Sequence, residues 1–333
     1  MERNYRLTDE TIIFNNRTLY RIEATKDFAD IKKGDKGGFI EKYENLCDNA
    51  WVYDNAKVYE DARVCENARV YGNARVYEYA EVYGGASVLG YAQVFGRARV
   101  CENARVFENA KVFERARVYG HARVYEYAKV YGDAKVFGHA RVYEYAKVYG
   151  DAKVYGHARV CENAQVFGHA RVFENARVYG KARVCENAEV FGEARVFENA
   201  RVFGEAKVYG NAIVYGSAIV YENAIVYENA IVYGEARVFG DAEVFGYAEI
   251  FGEAIVFGDA IIHSTNDYCT FSNFGSMNRT TTFFKSKEGI LVACGCFKGT
   301  IEEFKEKVKE THKGNKHERE YLKMIELAEI KFE

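Results

Sequence analysis

From Asn49 to Ile262 the chain repeats six residues, Ala-x-Val-(Tyr/Phe)-(Gly/Glu)-x, without interruption. Ala stands at 50, 56, 62 and every sixth position to 260, thirty-six units in one frame, and Val or Ile follows two residues later each time. Ile40 and Leu46 already occupy the Val slot ahead of the first Ala. A period this short, held this long, is incompatible with one globular core. Each unit buries its apolar face only by stacking on a copy of itself, so the chain is expected to be a solenoid. The 333 residues contain no proline, which suits strands that must donate their N–H groups to neighbours on both sides.

Parity assigns the faces. On a strand, residues two apart share a side, so Ala and Val point one way, and the residue between them and the following aromatic point the other. The residue between is Arg or Lys in most units, for example Arg63, Arg69, Lys129 and Lys153. A row of cations cannot line a dry core, so Val and Ala face inward and the cationic and aromatic rows face out. Residues Gly120–Val136 recur unchanged as Gly138–Val154, an 18-residue duplication that three hexapeptides per coil would explain. A looser 24-residue echo, Cys161–Val184 against Cys185–Val208, keeps that inference from resting on duplication alone.

Val-Tyr-Gly-Asn-Ala-Arg and its variants resemble the hexapeptide repeat of left-handed parallel β-helices, in which an aliphatic residue fills the core and a small residue fills the corner. The resemblance covers about two thirds of the chain. It implies a mainly β fold, a three-sided left-handed parallel β-helix of about twelve coils over residues 40–263. Handedness stands on the resemblance only, because β crossovers are otherwise right-handed. By analogy with that superfamily, a homotrimer is the implied oligomer.

The flanks read as accessories. In residues 1–39, Thr11–Phe14 and Thr18–Ile22 around Asn15-Asn16-Arg17 predict a β-hairpin cap over an otherwise open solenoid end. Gly34, Gly37 and Gly38 are expected to form a flexible turn into the repeat, with no Gly-Lys-Ser/Thr to make a phosphate loop. In residues 264–333, Arg279–Lys285 and Ile290–Cys294 predict a hairpin. Thr300-Ile-Glu-Glu303 is a capping box opening one helix, and Gly314-Asn315 separates it from a second carrying Tyr321, Ile325, Leu327 or Ala328, and Phe332. A small ββαα, α+β module is expected there.

The formal net charge is −3, so no overall field favours nucleic acid or an anionic membrane, and balancing Glu counts further against nucleic acid. No apolar run approaches a membrane span. Of eight cysteines, Cys47, Cys65, Cys101, Cys161 and Cys185 sit in the aromatic slot, as small replacements and not as a disulfide framework. A reduced, cytoplasmic protein is the expectation.

Three sets of residues depart from uniformity. His121, His139 and His157 lie 18 apart and would stack on one corner of a three-sided coil, a weak metal candidate set up by the duplication. Cys294 and Cys296 with His312 and His317 have zinc-ligand types, at a tighter cysteine spacing than usual and with a helix break between the two histidines. Ile213, Ile219, Ile225 and Ile231 replace the outward cation in four successive units. With Tyr215, Tyr221, Tyr227 and Tyr233 they predict an exposed apolar belt, to be covered by the C-terminal segment or another subunit.

The layout also resembles hexapeptide-repeat proteins of bacteriophages and prophages. Leu19-Tyr-Arg-Ile22, Gly37-Gly38-Phe39-Ile40-Glu41 and Asn45-Leu46 precede the repeats, and Gly295-Cys-Phe-Lys-Gly-Thr300 follows them. The resemblance implies a phage-encoded protein in a bacterial cytoplasm. The expected function is a non-enzymatic structural or interaction protein that presents an elongated aromatic and cationic surface to a protein partner, such as a host factor met in counter-defence, or to another copy of itself. No catalytic residue or cofactor is expected. The alternatives are an acyltransferase of the hexapeptide superfamily, whose usual site-building loop is missing from the frame between 50 and 260, and polyanion or nucleic-acid binding through the Arg and aromatic rows.

Overall fold

The computed structural model describes residues 3–333. The chain is a mainly β protein, a parallel β-solenoid of about twelve turns with a small C-terminal domain of two helices and an antiparallel sheet. Each hexapeptide contributes one two-residue strand, the outward residue and its Val, followed by the aromatic and a turn. Every third strand pairs in register with the one 18 residues earlier, which makes three faces and three hexapeptides per coil. The parity reading holds throughout, with each Ala and Val of the frame from Ala56 to Val256 fully buried. The outward residue donates its N–H to the Ala carbonyl one coil on (Arg123 to Ala140, 2.9 Å), and the aromatic donates to the Val carbonyl (Tyr125 to Val142, 3.1 Å).

The solenoid falls into two compact units, Met1–Gly180 and Lys181–Glu333. In the first, β1 (Tyr5–Phe14) and β2 (Arg17–Ala24) form the hairpin. Its turn is two residues, Asn15 and Asn16, both left-handed at φ 48° and 59°, which matches the twist of the flanking strands better than the expected three-residue turn. β3 (Lys36–Ile40) pairs antiparallel with β2 and parallel with Lys57–Val58, so the cap is continuous with one solenoid sheet. Gly37 and Gly38 lie inside β3 and not in a flexible turn. A Cβ on Gly37 would sit 2.6 Å from the Val52 carbonyl, and one on Gly38 would sit 2.6 Å from that of Ala56, so glycine is required by close backbone approach. The segment after β2 lays Phe28 against Trp51 at 5.6 Å, and Trp51 is 1% exposed.

Three faces follow in this unit. The first carries Trp51, Arg69, Ser87, Arg105, Arg123, Arg141, Arg159 and Arg177 outward; the second begins at Lys57 and the third at Arg63. Cys47 and Cys65, one coil apart, are joined as a disulfide. This corrects their assignment as independent slot fillers and is at odds with a fully reduced chain. Cys101, Cys161 and Cys185 do behave as fillers, free and half-buried, with burial pushing each thiol up.

In the second unit three faces run, the first from Arg195 to Glu249, the second from Arg183 to Ile255 and the third from Glu189 to Ile261. The strands Tyr268–Phe274, Arg279–Ser286, Gly289–Cys294 and Phe297–Thr300 then form a four-stranded antiparallel sheet. Helices α1 (Ile301–His312) and α2 (Lys316–Phe332) pack on it around Phe283, Phe304, Tyr321, Ile325 and Ala328. The expected ββαα module is thus ββββαα. Tyr268–Phe274 and Phe297–Thr300, to which spacing assigned no element, are both strands. The Thr300–Glu303 capping box forms as expected, with Glu303 N–H donating to Thr300 Oγ1 at 3.2 Å and Thr300 N–H to Glu303 Oε2 at 2.9 Å. The module seals the last coil. Ile255 N–H donates to Thr282 Oγ1 (3.1 Å), Phe284 meets Phe257 edge-on (5.2 Å), and Lys298 Nζ lies 4.1 Å above the Phe239 ring. Among the described residues no helix is long and apolar enough to cross a membrane.

Candidate interaction surface

The belt is assembled as the spacing requires. Ile213 and Ile231 are neighbours on the first face of the second unit, Ile219 stands on the second face and Ile225 on the third. All four, and Tyr215, Tyr221, Tyr227 and Tyr233, are half-buried. The tyrosines belong to corner stacks continuous with the coils around them: Phe197–Tyr215–Tyr233 at 5.0 and 5.1 Å, Phe203–Tyr221–Phe239 at 5.1 and 4.7 Å, and Tyr209–Tyr227–Phe245 at 5.1 and 5.0 Å. Their ring faces are therefore spent on coil-to-coil packing. The isoleucines have no such use. Among the described residues, the hydrogen bonds, ion pairs and ring contacts of the C-terminal module reach back as far as Phe239 and stop short of the belt. The module caps the end, and its Lys287 shares a groove with Ile225 on the third face.

Order along the first face sharpens this. Its outward residues read Arg195, Ile213, Ile231, Glu249, each in register with the next. Arg195 and Glu249 are exposed, and neither has an ion-pair partner among the described residues. The second face reads Arg201, Ile219, Arg237, Ile255, and the third reads Lys207, Ile225, Glu243, where Glu243 is already 4.0 Å from Lys287.

The histidine column forms as expected but with rings face to face. His121, His139 and His157 stack at 4.9 and 4.8 Å within 4° of parallel, so their nitrogens do not converge on a point. In the C-terminal module, Cys294 Sγ accepts from Thr281 Oγ1 (3.2 Å), Cys296 is exposed, and His312 stacks on Tyr321 (5.4 Å) with His317 5.9 Å away. Among the described residues the one trio of His, Cys, Asp or Glu whose ligand atoms all lie within 4.8 Å of one another is Cys47, Asp48 and Cys65. Its sulfurs form the disulfide, and Asp48 Oδ2 already accepts the Glu66 N–H (3.1 Å). A cleft of about 910 Å³ opens beside this pair. Several of its polar groups are structurally committed: Asn45 donates to the Glu60 and Ala62 carbonyls (2.9 and 2.8 Å), and Lys42 pairs with Asp61 (2.6 Å).

Two features escape a linear reading of the sequence. One is a set of in-register arginines, Arg105, Arg123, Arg141, Arg159 and Arg177, on the first face of the first unit. The other is the corner residue after each aromatic. It is left-handed in unit after unit, at φ 59° in Glu114 and 72° in Gly132, and where it is acidic its carboxylate accepts the corner amide of the next coil, as Glu114 Oε2 does from Gly132 N–H at 2.9 Å.

This three-hexapeptide coil also has a sequence counterpart. The YdcK β-solenoid repeat matches at residues 68–84, 116–132, 164–180 and 206–222, each stretch about one coil long. The chain is a β-solenoid repeat protein. The four matches cover about a fifth of it and do not extend to the hairpin or the C-terminal module. None of the curated proteins matches this chain.

Proposed function

We propose that this β-solenoid is a non-enzymatic interaction protein that pairs with a second copy of itself through the first face of the unit Lys181–Glu333. The order Arg195, Ile213, Ile231, Glu249 carries the reading. A two-fold interface must be self-complementary, residue i meeting j and j meeting i. Two antiparallel copies of this column set Arg195 against Glu249 at both ends and Ile213 against Ile231 in the middle. The apolar centre supplies the area term and the charged ends fix register. The second face lacks this symmetry, and on the third, where Lys207, Ile225 and Glu243 repeat it about a single isoleucine, Glu243 already lies 4.0 Å from Lys287, which leaves the first face as the contact.

Pairing leaves the remaining cationic and aromatic rows free for a further partner. The resemblance to phage and prophage hexapeptide proteins is the support for proposing a bacterial host protein as that partner.

Light scattering coupled to gel filtration tests the pairing. The wild type should run as a dimer, and Ile213→Lys with Ile231→Lys should halve the mass with an unchanged circular dichroism spectrum. Ile219→Lys with Ile225→Lys, on the other two faces, should leave the dimer intact. A wild type that is monomeric, or trimeric as the superfamily resemblance implies, would contradict the proposal.

A further inference from the structure

The arginines of the first face of the first unit lie in five successive coils, Arg105, Arg123, Arg141, Arg159 and Arg177, pairwise in register and all exposed. Adjacent rungs of a sheet are about 4.8 Å apart, so five guanidinium-bearing side chains leave one face along a straight line. Among the described residues none of the five has a carboxylate within ion-pairing distance; Arg105 lies over the Phe107 ring at 5.7 Å. Two of the carboxylates in the neighbouring corners are committed to backbone amides. Glu102 accepts the Gly120 N–H at 2.9 Å, and Glu126 accepts from the Glu144 amide at the corner beyond the aromatics.

In the turn that leads into each of these strands, two residues before each arginine, run Asn103, His121, His139, His157 and Asn175. These positions thus add donors and no anion. The third face differs: Asp133, Asp151 and His169 share a groove with Arg117, Lys135 and Lys153. Five aligned like charges repel one another. What relieves that repulsion is an anion with the same linear repeat.

We infer that this ladder is a binding strip for a linear phosphate polymer, held by its oxyanions and not by bases. Guanidinium forks match phosphate oxygens two at a time, and a ladder of them fits a chain of phosphates better than one isolated phosphate. Single-stranded nucleic acids additionally need ring faces on which bases can stack. Here the aromatic column beside the ladder offers none, because Phe107, Tyr125 and Tyr143 cover one another at 4.7 and 4.9 Å, nearly parallel. The strip recognises charge spacing alone. Net charge conceals it, since the acids that balance the arginines in composition are tied into the corners.

The test titrates fluorescent inorganic polyphosphate into the full chain across a salt series, with oligo-dT of equal charge as a second probe. Variants are Arg123→Gln, Arg141→Gln and Arg159→Gln together, against Lys111→Gln, Lys129→Gln and Lys147→Gln on the second face. Gln93 and Gln165 already occupy this outward slot, so the fold accommodates the replacement. Polyphosphate should bind more tightly than oligo-dT. The arginine triple should lose at least tenfold in affinity and lower the log–log salt slope by about 2–3, whereas the lysine triple should lose less than about threefold. Equal loss in both triples, tighter binding of oligo-dT, or no polyphosphate binding at physiological salt would each overturn the inference.

Discussion

At the scale of single residues, the corner explains a composition that periodicity leaves arbitrary. A non-glycine residue at positive φ is disfavoured by about 1–2 kcal/mol, yet glutamate takes that position repeatedly, from Glu60 to Glu228. The carboxylate repays part of the cost by accepting the amide one coil on: Glu66 to Gly84, Glu186 to Gly204 and Glu222 to Gly240, each at 2.9 Å. Glu114→Gly removes the strain along with the bond and should change stability by less than about 1 kcal/mol. Glu114→Val keeps the strain, loses the bond and adds a β-branch, and should cost about 2 kcal/mol or more in a denaturant melt. Where acids stack on acids the sign reverses. Burial, then Glu144 and Glu108, push the Glu126 carboxyl above its usual range. A raised carboxyl penalises the folded state only while ionised, so the penalty is present at neutral pH and is relieved as pH falls through the folded value. Glu126→Gln, which keeps an acceptor, should therefore raise stability at pH 7, and the gain should shrink as pH drops into the carboxylate range. None of this was legible in the sequence, where Gly/Glu alternation reads only as a turn signal.

Among the elements, legibility followed locality. The inward Ala and Val, the hairpin and the Thr300 capping box all rest on residues a few positions apart, and the structure has them where spacing put them. Gly37 and Gly38 misled because their role depends on Val52 and Ala56, which the chain reaches only a turn later. Gly38→Ala should cost about 1–3 kcal/mol by overpacking, and Trp51, the one tryptophan, should report it as a red-shifted emission at lower denaturant. The strands Tyr268–Phe274 and Phe297–Thr300 were obscured for the same reason: neither carries a sustained alternation of its own, and pairing with neighbours makes each a strand. Cys47 and Cys65 show the limit most simply. Their spacing of one coil was visible, but read as slot filling it gave no sign that the two sulfurs are bonded.

For the whole molecule, the repeat made the architecture nearly determinate, because a six-residue period with cations between inward residues has few solutions. The surface was much less legible. Residues 18 apart become neighbours, so columns carry the information that rows hide. The isoleucine belt was visible because its four units are consecutive. The order Arg195, Ile213, Ile231, Glu249 was not, since two other faces interleave with it. Self-pairing through that column is the central claim, and charge exchange tests it most directly. Sedimentation velocity over a concentration series should show a dimer for the wild type. Arg195→Glu alone and Glu249→Arg alone should weaken it at least tenfold, each placing like charges at both ends of the interface, and the two changes together should restore the dimer. Independent effects of the two substitutions, with no rescue in the double variant, would contradict the account.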